Sequence, residues 1–329
     1  MNSTLFRNLA DSRYRRLLYF IGLNKLLKPV DSLSARLFSC RRYQKRLKSY
    51  PPIFIVGPPR SGTTLVYQYF SNVLDVSFIS NLWSILPKSA PYIKKIVCAI
   101  PPEEFVSYYG NGPSLLSVQE GGHVFNQWFP DNENHYYSEI ESKIEMNLKR
   151  YFQIVSDNSQ KPWLIKNSRN AVRISVLSKV FEQAIYIRIR RSPLLIAKSI
   201  LRGGYQLYGE QFTNWTVKPR NWREFESLSP PEQVAQQVFS IEKQIDQDLS
   251  EISMDKVITI NYPDFCLNPF EMASKVCNKF ECLHFRENIG DEIINKKFAV
   301  SLGGSENGDQ YETLKESLKK LYGHSLNFS

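Results

Sequence analysis

The chain has 329 residues, 42% hydrophobic and 22% charged, an ordinary globular balance that leaves room for one large α/β domain with extensions or for two smaller domains. Its net charge of +10 suggests nucleic acid until it is located: residues 1–50 hold 12 Lys+Arg against 2 Asp, and the 30 basic and 30 acidic residues that follow cancel. The body is neutral, the excess belongs to an N-terminal arm without a recognisable reading head, and nucleic acid is not expected as a partner.

Five cysteines, Cys40, Cys98, Cys266, Cys277 and Cys282, are an odd number with no C-x-x-C pair, so neither a disulfide framework nor a zinc site is expected and a reducing, cytoplasmic setting is. The most apolar N-terminal run, Leu17 to Leu23, is far shorter than the roughly 20 residues that cross a bilayer. It is closed off by Lys25 and Lys28 and lacks a small-residue cleavage site, so no secretory signal is read.

Residues 1–50 read as a basic helical arm, ended by Tyr50-Pro51-Pro52, because paired prolines stop a helix. Its cations alternate with Leu17, Leu18, Phe20, Ile21, Leu23, Leu26 and Leu27, which fits an interfacial helix drawn to an anionic membrane surface. Packing on the body of the protein and a homodimer contact are the alternatives. "IFIV" at 53–56 is a continuous apolar strand of the kind buried on both faces of a parallel sheet. After a loop, Leu65, Val66, Tyr69, Phe70, Val73 and Leu74 recur at helical spacing, completing a strand, loop and helix unit.

Residues 75–130 are interrupted by Pro and Gly and read as an acceptor-facing insertion. Pro162 to Asn167 and Ala184 to Arg190 are strands separated by a helix around Val172 to Phe181. Ser192-Pro193 supplies a cap and a first-turn proline for the next helix. Gly203 to Phe225 is rich in aromatics and suits an acceptor wall or lid. Val234, Val238, Ile241, Ile245, Leu249 and Ile252 mark a long amphipathic helix, Lys256 to Tyr262 a further strand, and Leu314, Leu318 and Leu321 a C-terminal helix. Alternating strands and helices imply an α/β fold: a P-loop-type, doubly wound, mostly parallel sheet flanked by helices, in one domain over 51–329.

The loop "GPPRSGTTL", Gly57 to Leu65, has the glycine spacing of a phosphate loop, yet Thr63 stands where nucleotide hydrolases carry lysine, and a different cation, Arg60, sits inside. A loop feeding a helix N-terminus offers unpaired amides and the positive end of the helix dipole to an anion. This stretch resembles the 5′-phosphosulfate loop of the sulfotransferases that use 3′-phosphoadenosine 5′-phosphosulfate (PAPS), a pattern of Pro, Arg or Lys, Ser, Gly and two Thr or Ser. The resemblance assigns Pro59, Arg60, Ser61, Gly62, Thr63 and Thr64 to PAPS, with no metal. "YIRIRRSPLLIAKSIL" is similar to the second signature of that family and assigns Arg191 and Ser199, eight positions apart, to the 3′-phosphate. Otherwise Arg188, Arg190 and Arg191 are the solvated face of an edge strand.

The resemblance runs over roughly 52–285 and is greatest to the broad bacterial-type sulfotransferases. It implies transfer of a sulfuryl group from PAPS to a hydroxyl or amine of a small-molecule, lipid or glycan acceptor. Catalysis would rest on positioning and on charge stabilisation, with Arg60 receiving the leaving phosphate. Lys166 matches the family's lysine near its second strand and would aid that charge or orient the acceptor; an ordinary exposed lysine is the alternative. For the base, "SVQEGGHVFNQWF" is similar to a segment carrying His-Glu, with Gln119 in place of the histidine; Glu120 and His123 are the two candidates. "SLGGSENG" at 301–308 stands where relatives close a loop over the nucleotide, but it lacks Arg and Lys. A P-loop protein that holds a nucleotide at the membrane surface without turnover is the competing function.

Overall fold

The computed structural model describes residues 12–39, 50–103, 105–106, 112–130, 133–209, 216–300 and 308–323. In chain order the elements are α1 (Ser12–Ser39), β1 (Pro52–Val56), α2 (Thr63–Val73), α3 (Asn81–Ile85), α4 (Lys94–Val97), α5 (Gly122–Phe125), α6 (Ser142–Ser159), β2 (Trp163–Lys166), α7 (Ile174–Val180), β3 (Ile185–Arg190), α8 (Pro193–Tyr208), α9 (Pro230–Ser250), β4 (Val257–Asn261), α10 (Tyr262–Leu267), α11 (Pro269–Lys279), α12 (Asp291–Ile294) and α13 (Asp309–Tyr322). Most of the stretch proposed as a nucleotide-closing loop, 301–307, and residues 210–215 of the aromatic segment lie outside the described residues.

The four strands form one parallel sheet in the order β2-β1-β3-β4. The unbroken apolar run of β1 follows from its place inside that sheet, where both faces must be covered. Phe54 and Val56 face a layer built by α6, α7 and α9 through Phe152, Val155, Leu177, Ile241 and Ile245. Ile53 and Ile55 face a layer built by α2, α10 and α11 through Val66, Phe70, Phe265 and Val276. A third apolar cluster joins α8, α9 and α13 through Ile196, Ile200, Val234, Val238, Leu314 and Leu318. Helices thus cover both faces, as the alternating pattern requires.

Three particulars differ from the sequence reading. β3 is no edge strand: it lies between β1 and β4, and Arg188 is buried against Asp246, which also accepts from Arg190 at 3.4 Å. Ser192 occupies the cap position of α8 but its side chain makes no capping bond, so Pro193 sets the first turn unaided. The 18-residue helix α6 was not anticipated, although Ile144, Leu148, Tyr151, Phe152 and Val155 carry its spacing; by contrast α9 opens on a full capping box between Ser229 and Glu232.

The arm docks on the body by one face of α1. Asn24 Nδ2 donates to the carbonyls of Ser84 and Ile85 at 3.0 Å each, taking up acceptors that the end of α3 leaves unpaired. Asp31 is buried and accepts from the amides of Lys88 and Ser89 at 3.0 and 2.8 Å and from the Ser89 hydroxyl at 2.6 Å. No helix among the described residues is long and apolar enough to cross a membrane.

Candidate active site

β1 delivers the chain into a loop that only certain residues can form. A Cβ at Gly57 would stand 2.7 Å from Ser61 Oγ and 2.9 Å from the Ile189 carbonyl, so the loop lies against β3 too closely for any side chain there. Gly62 has φ +97°, and a Cβ on it would come within 2.1 Å of the Tyr262 ring. Arg60 also takes a left-handed backbone, φ 69°, a strain of about 1–3 kcal/mol that concentrates at functional sites. No side chain caps α2, and its first amides, those of Thr63 and Thr64, have no carbonyl one turn earlier to receive them.

A cavity of about 760 Å³ opens over the carboxyl ends of β1, β2 and β3, the place where open α/β sheets bind ligands. Pro59, Arg60, Gly62, Thr63 and Thr64 line it from the loop, Lys166 from the end of β2, Arg191 from the turn after β3 and Ser199 from the second turn of α8. Ser61 does not line it: its hydroxyl is buried beneath the loop without a hydrogen-bond partner, and its amide donates to the Pro58 carbonyl at 3.1 Å. The two basic signatures meet. Arg191 Nη1 donates to the Arg60 carbonyl at 2.9 Å across 131 residues of sequence, and Arg60 Nε donates to Ser199 Oγ at 2.9 Å. The Arg191 guanidinium also lies 5.0 Å over the Tyr262 ring, so Tyr262 holds both the loop glycine and the second arginine.

Charge in the cavity is one-sided. Arg60, Lys166, Arg169, Arg191 and Arg202 face Glu120, the one acid among the described residues that line it. Burial above all, and after it the like charges of Arg60 and Arg202, pull Arg191 below the usual guanidinium range. An anion in the cavity relieves that repulsion.

Glu120 reaches the cavity from a separate segment. Its segment is fixed by the Asn81 amide donating to the Ser117 carbonyl at 3.1 Å and the Gln119 amide to the Ile79 carbonyl at 2.8 Å. The Gln119 side chain folds back onto the Gly121 amide, so it is occupied by the turn. Lys166 ion-pairs with Glu120 Oε1, Ser168 Oγ donates to Oε2 at 2.5 Å, and Thr64 Oγ1 donates to Oε1 at 3.5 Å. Lys166 is 3% exposed, which removes the reading of an ordinary surface lysine. Burial on its own would raise the Glu120 carboxyl; the Lys166 charge, with hydrogen bonds from Lys166 and Ser168, outweighs it and holds the carboxyl below its usual range. Burial pulls the Lys166 ammonium below its usual range, with Glu120 opposing. Glu120 is therefore a carboxylate held on the first turn of α2.

His123 lines the same cavity from α5, together with Asn126, Gln68, Phe105, Val106 and, from the aromatic segment, Thr216 and Val217. The insertion expected at 75–130 thus contributes a wall. Sequence reasoning missed Ser168 and Tyr262. Ser168 stands two residues beyond Lys166 and Tyr262 directly after β4, positions that strand ends make prominent.

The description of the Sulfotransferase family matches residues 51–285. The chain belongs to this family. Among proteins of the sulfotransferase family, two whose sequences resemble it are the omega-hydroxy-beta-dihydromenaquinone-9 sulfotransferases Stf3 of Mycobacterium bovis and Mycobacterium tuberculosis, each 25% identical in a 225-residue alignment that covers 59% of this chain and 57% of the relative. The chain therefore matches little more than half the length of these relatives. Sulfotransferase STF9 from Mycobacterium avium superposes with a TM-score of 0.55 at 15% identity, covering 85% of this chain and 76% of that one. STF1 from Mycobacterium tuberculosis H37Rv does so with a TM-score of 0.55 at 12% identity, covering 84% and 77%. At such identities the superpositions speak to the fold, which is that of sulfotransferases.

Proposed function

We propose that the protein transfers a sulfuryl group from PAPS to a hydroxyl of a lipophilic acceptor, within a domain spanning 51–329. The observation that carries this reading is the meeting of Arg60, Arg191 and Ser199 in one basic cavity, with the Glu120 carboxylate on the first turn of the loop helix. The residues suit the donor: two glycine positions where a Cβ would collide, helix amides without carbonyl partners, and cations in excess of acid.

PAPS, as co-substrate, supplies the activated sulfuryl group and leaves as adenosine 3′,5′-bisphosphate. Arg191 and Ser199 hold the 3′-phosphate, Arg191 by the paired donors of its guanidinium. The amides of Thr63 and Thr64, Arg60 and Lys166 stabilise the charge that gathers on the 5′-phosphate as its bond to sulfur breaks. Glu120 takes the proton of the acceptor hydroxyl as the new oxygen–sulfur bond forms. Its contacts with Thr64 and Lys166 favour it over His123, which we assign to orienting the acceptor.

Support for the acceptor class comes from the relatives named for a hydroxylated menaquinone and from the apolar wall of Phe105, Val106 and Val217. The odd number of cysteines without a C-x-x-C pair is our ground for a reducing, cytoplasmic setting. Incubation with PAPS labelled in its sulfate, over a panel of hydroxylated isoprenoid quinones, steroid alcohols, phenols and glycans, tests the proposal. Label in a lipophilic alcohol is the expected outcome; a chain that binds adenosine 3′,5′-bisphosphate yet labels nothing on the panel is the non-catalytic protein instead.

A further inference from the structure

Docking uses one face of α1 and leaves another outward. Asn24 and Asp31, seven residues apart, point to the body, and the Phe38 ring stacks on Tyr92 at 5.8 Å. Tyr19, Leu26, Val30, Leu33 and Leu37 are between 56% and 74% exposed. Steps of seven, four, three and four place these five on a single helical stripe. Exposed Lys25 and Arg36 follow along one flank, exposed Lys28 stands further round toward the docked face, and exposed Arg15 continues the line of the stripe toward the N-terminal end. Asp31, the one acid in α1, is turned inward and engaged with Lys88 and Ser89. The outward surface of α1 is apolar and cationic, with no carboxylate of its own.

We propose that this face seats the protein on an anionic lipid bilayer, with α1 lying in the plane of the interface. An apolar stripe bordered by lysine and arginine fits the boundary between acyl chains and negative headgroups. A second copy of the chain fits less well, because pairing two such faces brings cations together without acids to meet them. The sequence beside α1 adds Arg7, Arg41, Arg42, Lys45, Arg46 and Lys48, all of the same sign.

The position of the face gives it a use. α1 rests on α3, α3 packs on α5, and His123 and Asn126 of that segment line the cavity. Exposed Leu115 and Leu116 lie beside the same support, where the Leu82 amide donates to the Leu115 carbonyl at 2.8 Å. One layer of short helices separates the seat from the acceptor wall, so an acceptor anchored in the leaflet has a short path to Glu120. That last step rests on the proposed transferase reading; the seat itself does not.

Co-sedimentation of the full chain with vesicles tests it, and needs neither acceptor nor turnover. We expect binding to phosphatidylcholine vesicles containing phosphatidylglycerol, falling steeply with salt, and at least roughly tenfold weaker binding to phosphatidylcholine alone. Leu26→Ser with Leu33→Ser lowers binding by roughly tenfold or more, and Lys25→Ser by about fivefold. An unchanged melting temperature shows that each variant is folded. Absence of binding to the anionic vesicles at low salt overturns the proposal, as does equal binding of either variant. So does a dimer, seen by analytical ultracentrifugation, that Leu26→Ser with Leu33→Ser dissolves.

Discussion

Lys166 is buried and Glu120 partly buried, each at a cost that the other offsets, and the catalytic state of the site depends on that pairing. Glu120→Gln keeps the shape but cannot accept a proton; transfer should fall by about 100-fold or more while adenosine 3′,5′-bisphosphate still binds. The pH dependence has a definite sign. With its carboxyl held below the usual range, wild-type Glu120 stays ionised as pH falls through that range, and kcat/KM is lost only as pH passes through the depressed value. In Lys166→Met the opposing charge is gone and only the Ser168 hydrogen bonds still counter burial, so the acid limb of the profile should move up in pH. An acid limb that does not move would dissociate Glu120 from the proton transfer. The motif residues of this site were legible in the sequence, since the loop and the strand-end arginine carry their own spacing. Choosing between Glu120 and His123 was not, because it depends on which side chain meets Lys166, a contact across 46 residues.

At the scale of elements, the loop and its helix depend on Tyr262, the first residue of α10, lying over Gly62. Gly62→Ala puts a methyl group into that ring and at a φ of +97°, so the loop must shift or the ring must leave. Because the Arg191 guanidinium lies over the same ring, nucleotide affinity should drop with the loop; calorimetric titration with adenosine 3′,5′-bisphosphate checks it, and undiminished affinity would show that the loop tolerates the shift. The arm offers a second case. Asp31→Ala removes three hydrogen bonds and leaves the buried amide and hydroxyl of Ser89 unmet, a loss of about 1–3 kcal/mol per group left unsatisfied. α1 should then be cut by protease faster than the body, with nucleotide binding intact. The strands and the long helices α2, α8, α9 and α13 were legible because each pairs an apolar period with a stop. The short helices α3, α4 and α5 were not: four or five residues give no period, and hydrogen bonds from distant segments hold them. α1 was read as helical, but which face docks is decided by Asn24 and Asp31, whose partners lie 57 to 61 residues away.

Over the whole molecule, the body beyond residue 50 is neutral in sum, yet among the described residues five cations line one cavity with one acid. Folding therefore concentrates like charges that repel until an anion arrives, and ligand binding and stability are linked. A ligand with phosphates at both ends of a nucleoside should stabilise the fold most, because Arg60 and Arg191 meet at the carbonyl of one and the guanidinium of the other. At 100 times its dissociation constant such a ligand adds about 2.7 kcal/mol, which for a chain of this size raises the melting temperature by several degrees, roughly 2–4 °C per kcal/mol. The rise should persist in chelator, since Arg60, Lys166 and Arg191 line the cavity to meet the phosphates directly, and it should shrink with salt. ATP, lacking a 3′-phosphate, should give a smaller rise. Arg191→Ala should lower affinity for adenosine 3′,5′-bisphosphate by roughly 10- to 100-fold and abolish the difference between the two ligands. Equal stabilisation by ATP and the bisphosphate in the wild-type chain would mean that Arg191 and Ser199 do not recognise a phosphate, and the second signature would have to be reassigned.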